Sequence, residues 1–211
     1  KSTIAKALLR LKDVSNGSIT LYDRDIREVS QVALRSFISY VPQKALLISG
    51  SIWDKLTFGI VNPDPQQVAQ AVKIAQAESF IKSLPDGIDS HVAQKGSNFS
   101  GGQKQRLSIA RALVKPVHIY FFDDSFSALD YKTDVKLRNA LKKKTKDSTV
   151  MIVAQRISTI LHAEQIIVLD DGKIVGKGTH RELLKNCEEY YQIASSQLSE
   201  KELEDDMKEV G

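Results

Sequence analysis

Two short apolar runs, HIYFF and TVMIVA, flank a charged stretch of helical spacing from Tyr131 to about Lys144. Runs of that length bounded by polar residues read as buried strands, and the interval between them accommodates one helix. Strand, helix and strand in that order commit this part of the chain to an α/β layer. FISYVPQ, halted at Pro42, reads as another buried strand, and Ser2 to Leu11 sets Ile4, Ala5, Leu8 and Leu9 at helical spacing. GSITLY reads as a strand closed by a turn at Asp23 to Asp25, and AEQIIVLDDGKIVGKG holds two strand-like runs joined by Asp-Gly, a strong hairpin signal. Two short helices follow it. Ser51 to Ser83 interrupts the alternation, being mostly helical with a break at Asn62 to Pro65, and reads as an inserted lobe.

The 211 residues, 42% hydrophobic and 27% charged, suit one globular domain with a core of its own. Each apolar run falls far below the ~18 residues of a membrane span, so the chain is not expected to cross a bilayer itself. Lys-Ser-Thr at the start is no secretory leader, and a single cysteine, Cys187, forms no disulfide framework. A reducing cytosol is the expected environment. The net charge of +4 is uneven, because Ser199 to Gly211 holds six acids against two lysines. The body is therefore basic, which suits a polyanionic ligand without arguing for nucleic acid.

Candidate chemistry gathers at strand and helix ends. HIYFFDD runs into Asp123 and Asp124, at the position where an open α/β sheet binds its ligand, although such a pair taken alone serves equally well in a turn or an N-cap. KST matches the last three letters of G-x-x-x-x-G-K-[ST], in which Lys neutralises terminal phosphates and the hydroxyl coordinates Mg²⁺. FSGGQKQR places a serine N-cap and two glycines ahead of a helix running to about Leu113, the arrangement of an anion-binding helix start.

Taken in order, KST, YVPQ, NFSGGQKQR, IYFFDDSFSALD and IVAQR resemble the ATP-binding cassette family over nearly the whole chain. The resemblance implies an α/β fold, a P-loop NTPase (RecA-like) core with an inserted α-helical signature subdomain. Its parts would be core residues 1–48, the signature subdomain 49–113, core residues 114–196 and an acidic mobile tail 197–211. The family's N-terminal strands, most of the phosphate loop and the adenine-stacking aromatic are not among these residues. Lys1, Ser2 and Thr3 would end the Walker A loop, Gln43 would be the Q-loop glutamine and Asp123 the Walker B acid. Ser2, Gln43 and Asp123 would then face Mg²⁺. Ser100, Gly101, Gly102 and Gln103 would form the signature, and Asp130 would close the D-loop. The implied cofactors are ATP and Mg²⁺, and the implied partner is a second cassette packed head to tail, so that each signature faces ATP held by the other subunit.

LISGSIWDKLTFG, AESFIKSLPDGIDS and GKGTHREL are similar to exporter cassettes. That similarity implies a transmembrane domain docked on the helical lobe at the cytoplasmic face of the membrane, and no nucleic-acid partner. Four positions depart from the family. Asp124 stands where active members carry the glutamate that orients or deprotonates water, and it is one methylene short. Gln155 replaces the switch histidine and cannot carry a positive charge. Phe99 stands for a leucine, and Gln94 for a glutamate that contacts the membrane domain. The implied function is the ATP-binding and hydrolysing domain of an exporter whose own site is degenerate and whose signature serves a partner chain. Two alternatives are a regulatory ATP-binding module without turnover and a soluble, non-transport cassette ATPase. His91, His118, His162 and His180 show no metal spacing, and His180 reads as the start of a helix. Cys187 reads as a small buried side chain, and Lys142 to Lys146 as a solvated helix end.

Overall fold

The computed structural model describes residues 2–208, in two compact units that divide between Val153 and Ala154. The first unit opens with α1 (Ser2–Leu8), followed by a small antiparallel hairpin, β1 (Thr20–Leu21) and β2 (Arg24–Asp25), then α2 (Gln31–Ser36) and β3 (Ile38–Val41). The strand expected across GSITLY is shorter than its apolar pattern. Tyr22 and Asp23 both take the left-handed conformation, φ 50 and 61, which turns the chain back after Leu21.

The inserted lobe follows as β4 (Gly50–Ser51), α3 (Ile52–Leu56), α4 (Pro65–Ile74), α5 (Glu78–Lys82) and β5 (His91–Val92), with β4 and β5 paired antiparallel. Asp64 caps α4 through Gln66 N–H, and Pro65 takes its first position, so the Asn62 to Pro65 break is a helix start. The long α6 (Gly101–Val114) leads to β6 (Ile119–Asp123), α7 (Tyr131–Lys144) and β7 (Thr149–Val153).

β6 lies between β3 and β7, parallel to both, with Val41 opposite Phe122 and Asp123 opposite Val153. β7 has β6 as its only strand partner among the described residues. α6 packs on α3, α4 and β3, so one face of it covers the sheet and another closes the lobe. A single apolar cluster therefore runs through both, including Val68, Leu107, Leu113, Phe122 and Leu137. This continuity explains why the lobe and the strands belong to one unit, whereas sequence alone suggests breaks near residues 48 and 113. Burial of each such aliphatic side chain contributes about 1.5–3 kcal/mol.

The second unit holds α8 (Ile157–Ile160), the hairpin of β8 (Ile166–Asp170) and β9 (Lys173–Gly178), and the helices α9 (His180–Asn186), α10 (Glu188–Ser195) and α11 (Glu200–Lys208). Asp171 and Gly172, both at positive φ, make the hairpin turn that Asp-Gly announces. Cys187 is buried, as expected. The tail read as mobile is helical over Glu200–Lys208, and residues 209–211 lie outside the described set. Ser199 and Glu202 bond reciprocally at the helix start, Glu202 N–H to Ser199 Oγ at 3.3 Å and Ser199 N–H to Glu202 Oε2 at 2.8 Å. Leu203 joins the cluster of Leu183, Leu184, Tyr190 and Ala194.

His180 begins α9 but is buried, with Nδ1 2.7 Å from Tyr190 Oη and Nε2 3.2 Å from Asp206 Oδ2. Burial and the nearby Asp206 carboxylate push the Tyr190 phenol up to about 12. Leu203→Asp is expected to release α11, raising amide exchange across residues 200–208 while β6 and β7 stay protected. Unchanged exchange in α11 would show that its apolar anchor is dispensable.

Candidate nucleotide site

The parallel register brings the ends of β3 and β6 to one edge of the sheet. Past β3 the chain meets Pro42, which cannot continue the ladder, and Gln43 follows. Past β6 Asp124 takes φ 49, a conformation that Asp tolerates better than most residues, and the chain turns sharply. Three side-chain bonds join the two ends. Gln43 Nε2 donates to Asp124 Oδ2 at 2.9 Å, Tyr40 Oη donates to Asp123 Oδ2 at 3.1 Å, and Ser125 Oγ donates to the Val41 carbonyl at 2.9 Å. Asp124 N–H also bonds the Val153 carbonyl of β7 at 2.9 Å, and Ser127 Oγ donates to the Asp124 carbonyl at 2.9 Å.

Both carboxylates are buried, Asp123 at 4% and Asp124 at 7% exposure. An ionised Asp124 only accepts hydrogen bonds, so the Gln43 amide must present its nitrogen to it and its oxygen elsewhere. Oδ1 of Asp123 has no hydrogen-bond partner among the described residues. The donors available here, one carboxylate oxygen and one amide oxygen, are hard oxygen ligands of the kind Mg²⁺ takes together with phosphates and water. No group of three His, Cys, Asp or Glu side chains among the described residues could hold a metal alone. The residues thus fit a metal that arrives with a nucleotide. Tyr40, to which the sequence reading gave no role, has its phenol pushed up to about 12 by burial and by the Asp123 carboxylate it bonds.

Of the KST stretch, Ser2 and Thr3 lie exposed in the first turn of α1, which packs beside β6, while Lys1 lies outside the described residues. Ser100 caps α6 in a full capping box, with Gln103 N–H to Ser100 Oγ at 3.2 Å and Ser100 N–H to Gln103 Oε1 at 2.9 Å. A Cβ built on Gly101 would meet nothing within 4 Å, whereas one on Gly102 would lie 3.3 Å from the Ala128 carbonyl. Gly102 therefore serves the close passage of its own chain, and the open side of Gly101 faces no part of it. Phe99 is buried against Phe80 with ring centroids 6.2 Å apart. Arg106 lies 4.8 Å above the same Phe80 ring and donates to the Gln76 carbonyl at 2.7 Å, which anchors α6 to the lobe.

Asp130 caps α7 through Thr133 N–H at 2.9 Å. Gln155 belongs to the second unit, where its carbonyl accepts a bond from Gln197 Nε2 at 2.9 Å.

Comparison with known proteins agrees with this reading of the fold. The family model described as ABC transporter matches residues 1–127. An uncharacterized ABC transporter ATP-binding protein of Mycobacterium bovis is 45% identical over 201 residues, 93% of this chain and 34% of its own length. A putative export ATP-binding/permease protein of Rickettsia typhi is 40% identical over 199 residues, 94% of this chain and 34% of its length. The solved structure of a bacterial Atm1-family ABC exporter with ATP bound superposes with a TM-score of 0.91 at 36% identity, covering 95% of this chain and 35% of that one. The chain belongs to the ABC transporter family, and its fold is that of the family's nucleotide-binding domain, a P-loop NTPase. It spans about a third of the length of the relatives it matches.

The Thr133 hydroxyl and backbone N–H hold the Asp130 carboxyl below its ordinary value of 3.8. The cap is therefore fully present above that value and is lost only as pH falls through the lower, folded-state pKa. Nuclear magnetic resonance titration of the Thr133 amide should show an inflection below pH 3.8, and Asp130→Asn should remove it while keeping the cap. An inflection at or above 3.8 would contradict the assignment.

Proposed function

We propose that this chain is the ATP-binding and ATP-hydrolysing domain of an exporter, that it sandwiches ATP with a second cassette, and that its own site turns over slowly. The observation that carries the reading is the meeting of Gln43 with Asp124, beside Asp123, at the ends of β3 and β6. Mg²⁺ bound with ATP would be held by Asp123, Gln43 and Ser2, and would neutralise phosphate charge. Lys1, Ser2 and Thr3 would hold the phosphates. Asp124 occupies the place of the water-activating glutamate, but its side chain is short and already accepts the Gln43 amide. A base displaced by about 1 Å can lose about 10²-fold in rate. Gln155 can donate a hydrogen bond to a phosphate and cannot add charge to it.

The signature turn fits a role toward another chain. Ser100 and Gln103 already bond each other, and Gly101 offers an uncrowded backbone beside a helix start of 14 residues, suited to a phosphate held by a partner cassette. Asp130 would lie in the same contact. Docking of a transmembrane domain is supported by the lobe side of the first unit. A groove of about 350 Å³, lined in part by Arg35, Ile60, Arg111 and Lys115, opens beside Phe58, which is 68% exposed. Val32, which also lines the groove, is exposed as well, and exposed apolar side chains of this kind mark interaction sites. No helix among the described residues is long and apolar enough to cross a membrane. The membrane path would be built by segments beyond this domain, at whose cytoplasmic face it would sit.

The test is single-turnover hydrolysis and nucleotide occlusion by the full-length protein, alone and with its partner. Asp124→Glu with Gln155→His should raise hydrolysis at this chain's own site by about 10²-fold, the scale of one restored general base. No change in the assembled transporter would defeat the slow-site account. Gly101→Asp should abolish turnover at the partner's site while ATP still binds here; surviving turnover would rule out the sandwich. Phe58→Asp should weaken assembly with the membrane domain, measured by co-purification, and full assembly would remove the lobe as its docking surface.

A further inference from the structure

The bond from Tyr40 to Asp123 does not belong to the backbone ladder, and the motifs read from the sequence give Tyr40 no role. Tyr40 stands opposite Phe121 in the parallel register, two residues before Asp123, so its side chain must reach along the strand to the carboxylate. The ring is packed beside that of Phe121, with centroids 5.9 Å apart at 54°, which limits where the hydroxyl can lie. Asp123 is almost fully buried and gives Tyr40 one oxygen, Oδ2, while Oδ1 has no partner among the described residues. A carboxylate turns easily about its last torsion, and a donor fixed on one oxygen stops that rotation. The flanking bonds from Ser125 to Val41 and from Gln43 to Asp124 hold the two strand ends together, so the distance from Tyr40 to Asp123 is set by the fold.

We infer that Tyr40 is a positioning residue for the ATPase reaction, its hydroxyl holding Oδ2 of Asp123 so that Oδ1 is the oxygen left for the nucleotide-bound Mg²⁺. The inference rests on the reading of Asp123 as the metal-facing acid. Partners that orient metal-ligating carboxylates are worth about 10–100-fold in metal affinity when removed. Tyr40→Phe deletes the hydroxyl and keeps the ring against Phe121.

The experiment uses the full-length protein with its partner and reads Mn²⁺ affinity by electron paramagnetic resonance in the presence of a non-hydrolysable ATP analogue. Tyr40→Phe should weaken Mn²⁺ binding by about tenfold. The Mg²⁺ concentration giving half-maximal ATPase should rise in parallel, with kcat recovered at saturating Mg²⁺. Tyr120→Phe, which removes a phenol oxygen of β6 that accepts from Val117 N–H and has no other partner among the described residues, should leave Mn²⁺ affinity unchanged. Unchanged affinity in Tyr40→Phe with loss in Asp123→Asn overturns the role of Tyr40 and leaves that of Asp123 standing. Unchanged affinity in both overturns the metal reading of Asp123 and the inference with it. Thermal unfolding in a chelator scores folding separately. Isotope-labelled tyrosine in the wild-type protein tests the same coupling without a substitution, since adding Mg²⁺ to the nucleotide complex should shift the Tyr40 resonance and no shift overturns the inference.

Discussion

The parallel pairing of β3 with β6 is the constraint on which the site depends. Because the strands run the same way, both release their chains at one edge, and residues 81 to 84 positions apart become hydrogen-bond partners. Pro42 ends one strand by lacking an N–H, and Asp124 ends the other by turning to positive φ. The carboxylates sit at the mouth of the sheet with little solvent, where an unpaired charge is costly. Tyr40 and Gln43 reduce that cost from β3, and the Val153 carbonyl of β7 takes the Asp124 N–H from the other side. A one-residue slip of β3 against β6 would dismantle the bonds of Tyr40 and Gln43 and turn each side chain of β3 to the opposite face of the sheet.

α6 connects this edge to the lobe. Its apolar residues Leu107, Ile109, Ala110 and Leu113 are buried, so the helix cannot shift along its axis without opening the core. Its side chains clamp both neighbours, Gln105 donating to the Pro42 carbonyl at 3.2 Å and Arg106 to that of Gln76. Displacement of the lobe would therefore be felt at the chain segment that carries Gln43. This is a physical route by which events at an outer surface and at the β3 end can be linked, and it passes through the same helix that Ser100 caps.

Much of this was legible in the chain. The apolar runs before Pro42 and Asp123 are strands, Tyr131 to Lys144 is a helix, and Asp171-Gly172 is the hairpin turn, because each depends on neighbours within a few positions. The Ser100 capping box is local in the same sense. The helix within the acidic tail was not read because its acidity is visible in sequence, while the burial of Leu203 and the bond of Asp206 to His180, 26 residues away, depend on the two preceding helices. Ser-x-x-Glu at Ser199 was the signal that could have exposed it. Tyr40 was passed over because an aromatic in a strand ordinarily fills core, and nothing local tells a buried phenol from one that meets a carboxylate.

Sequence by itself determined the family, the order of the elements and the identity of the chemical groups, Asp124 and Gln155 among them, since these are properties of residue type and spacing. Only the tertiary structure decided that Tyr40 holds Asp123, that the Gln43 amide lies on Asp124, that the side of Gly101 is open and that Leu203 anchors the last helix. The physical reason is range. Propensity, capping and turn chemistry act over a few residues of chain, whereas the partner of a buried polar group is whatever strand register and core packing bring within about 3 Å of it.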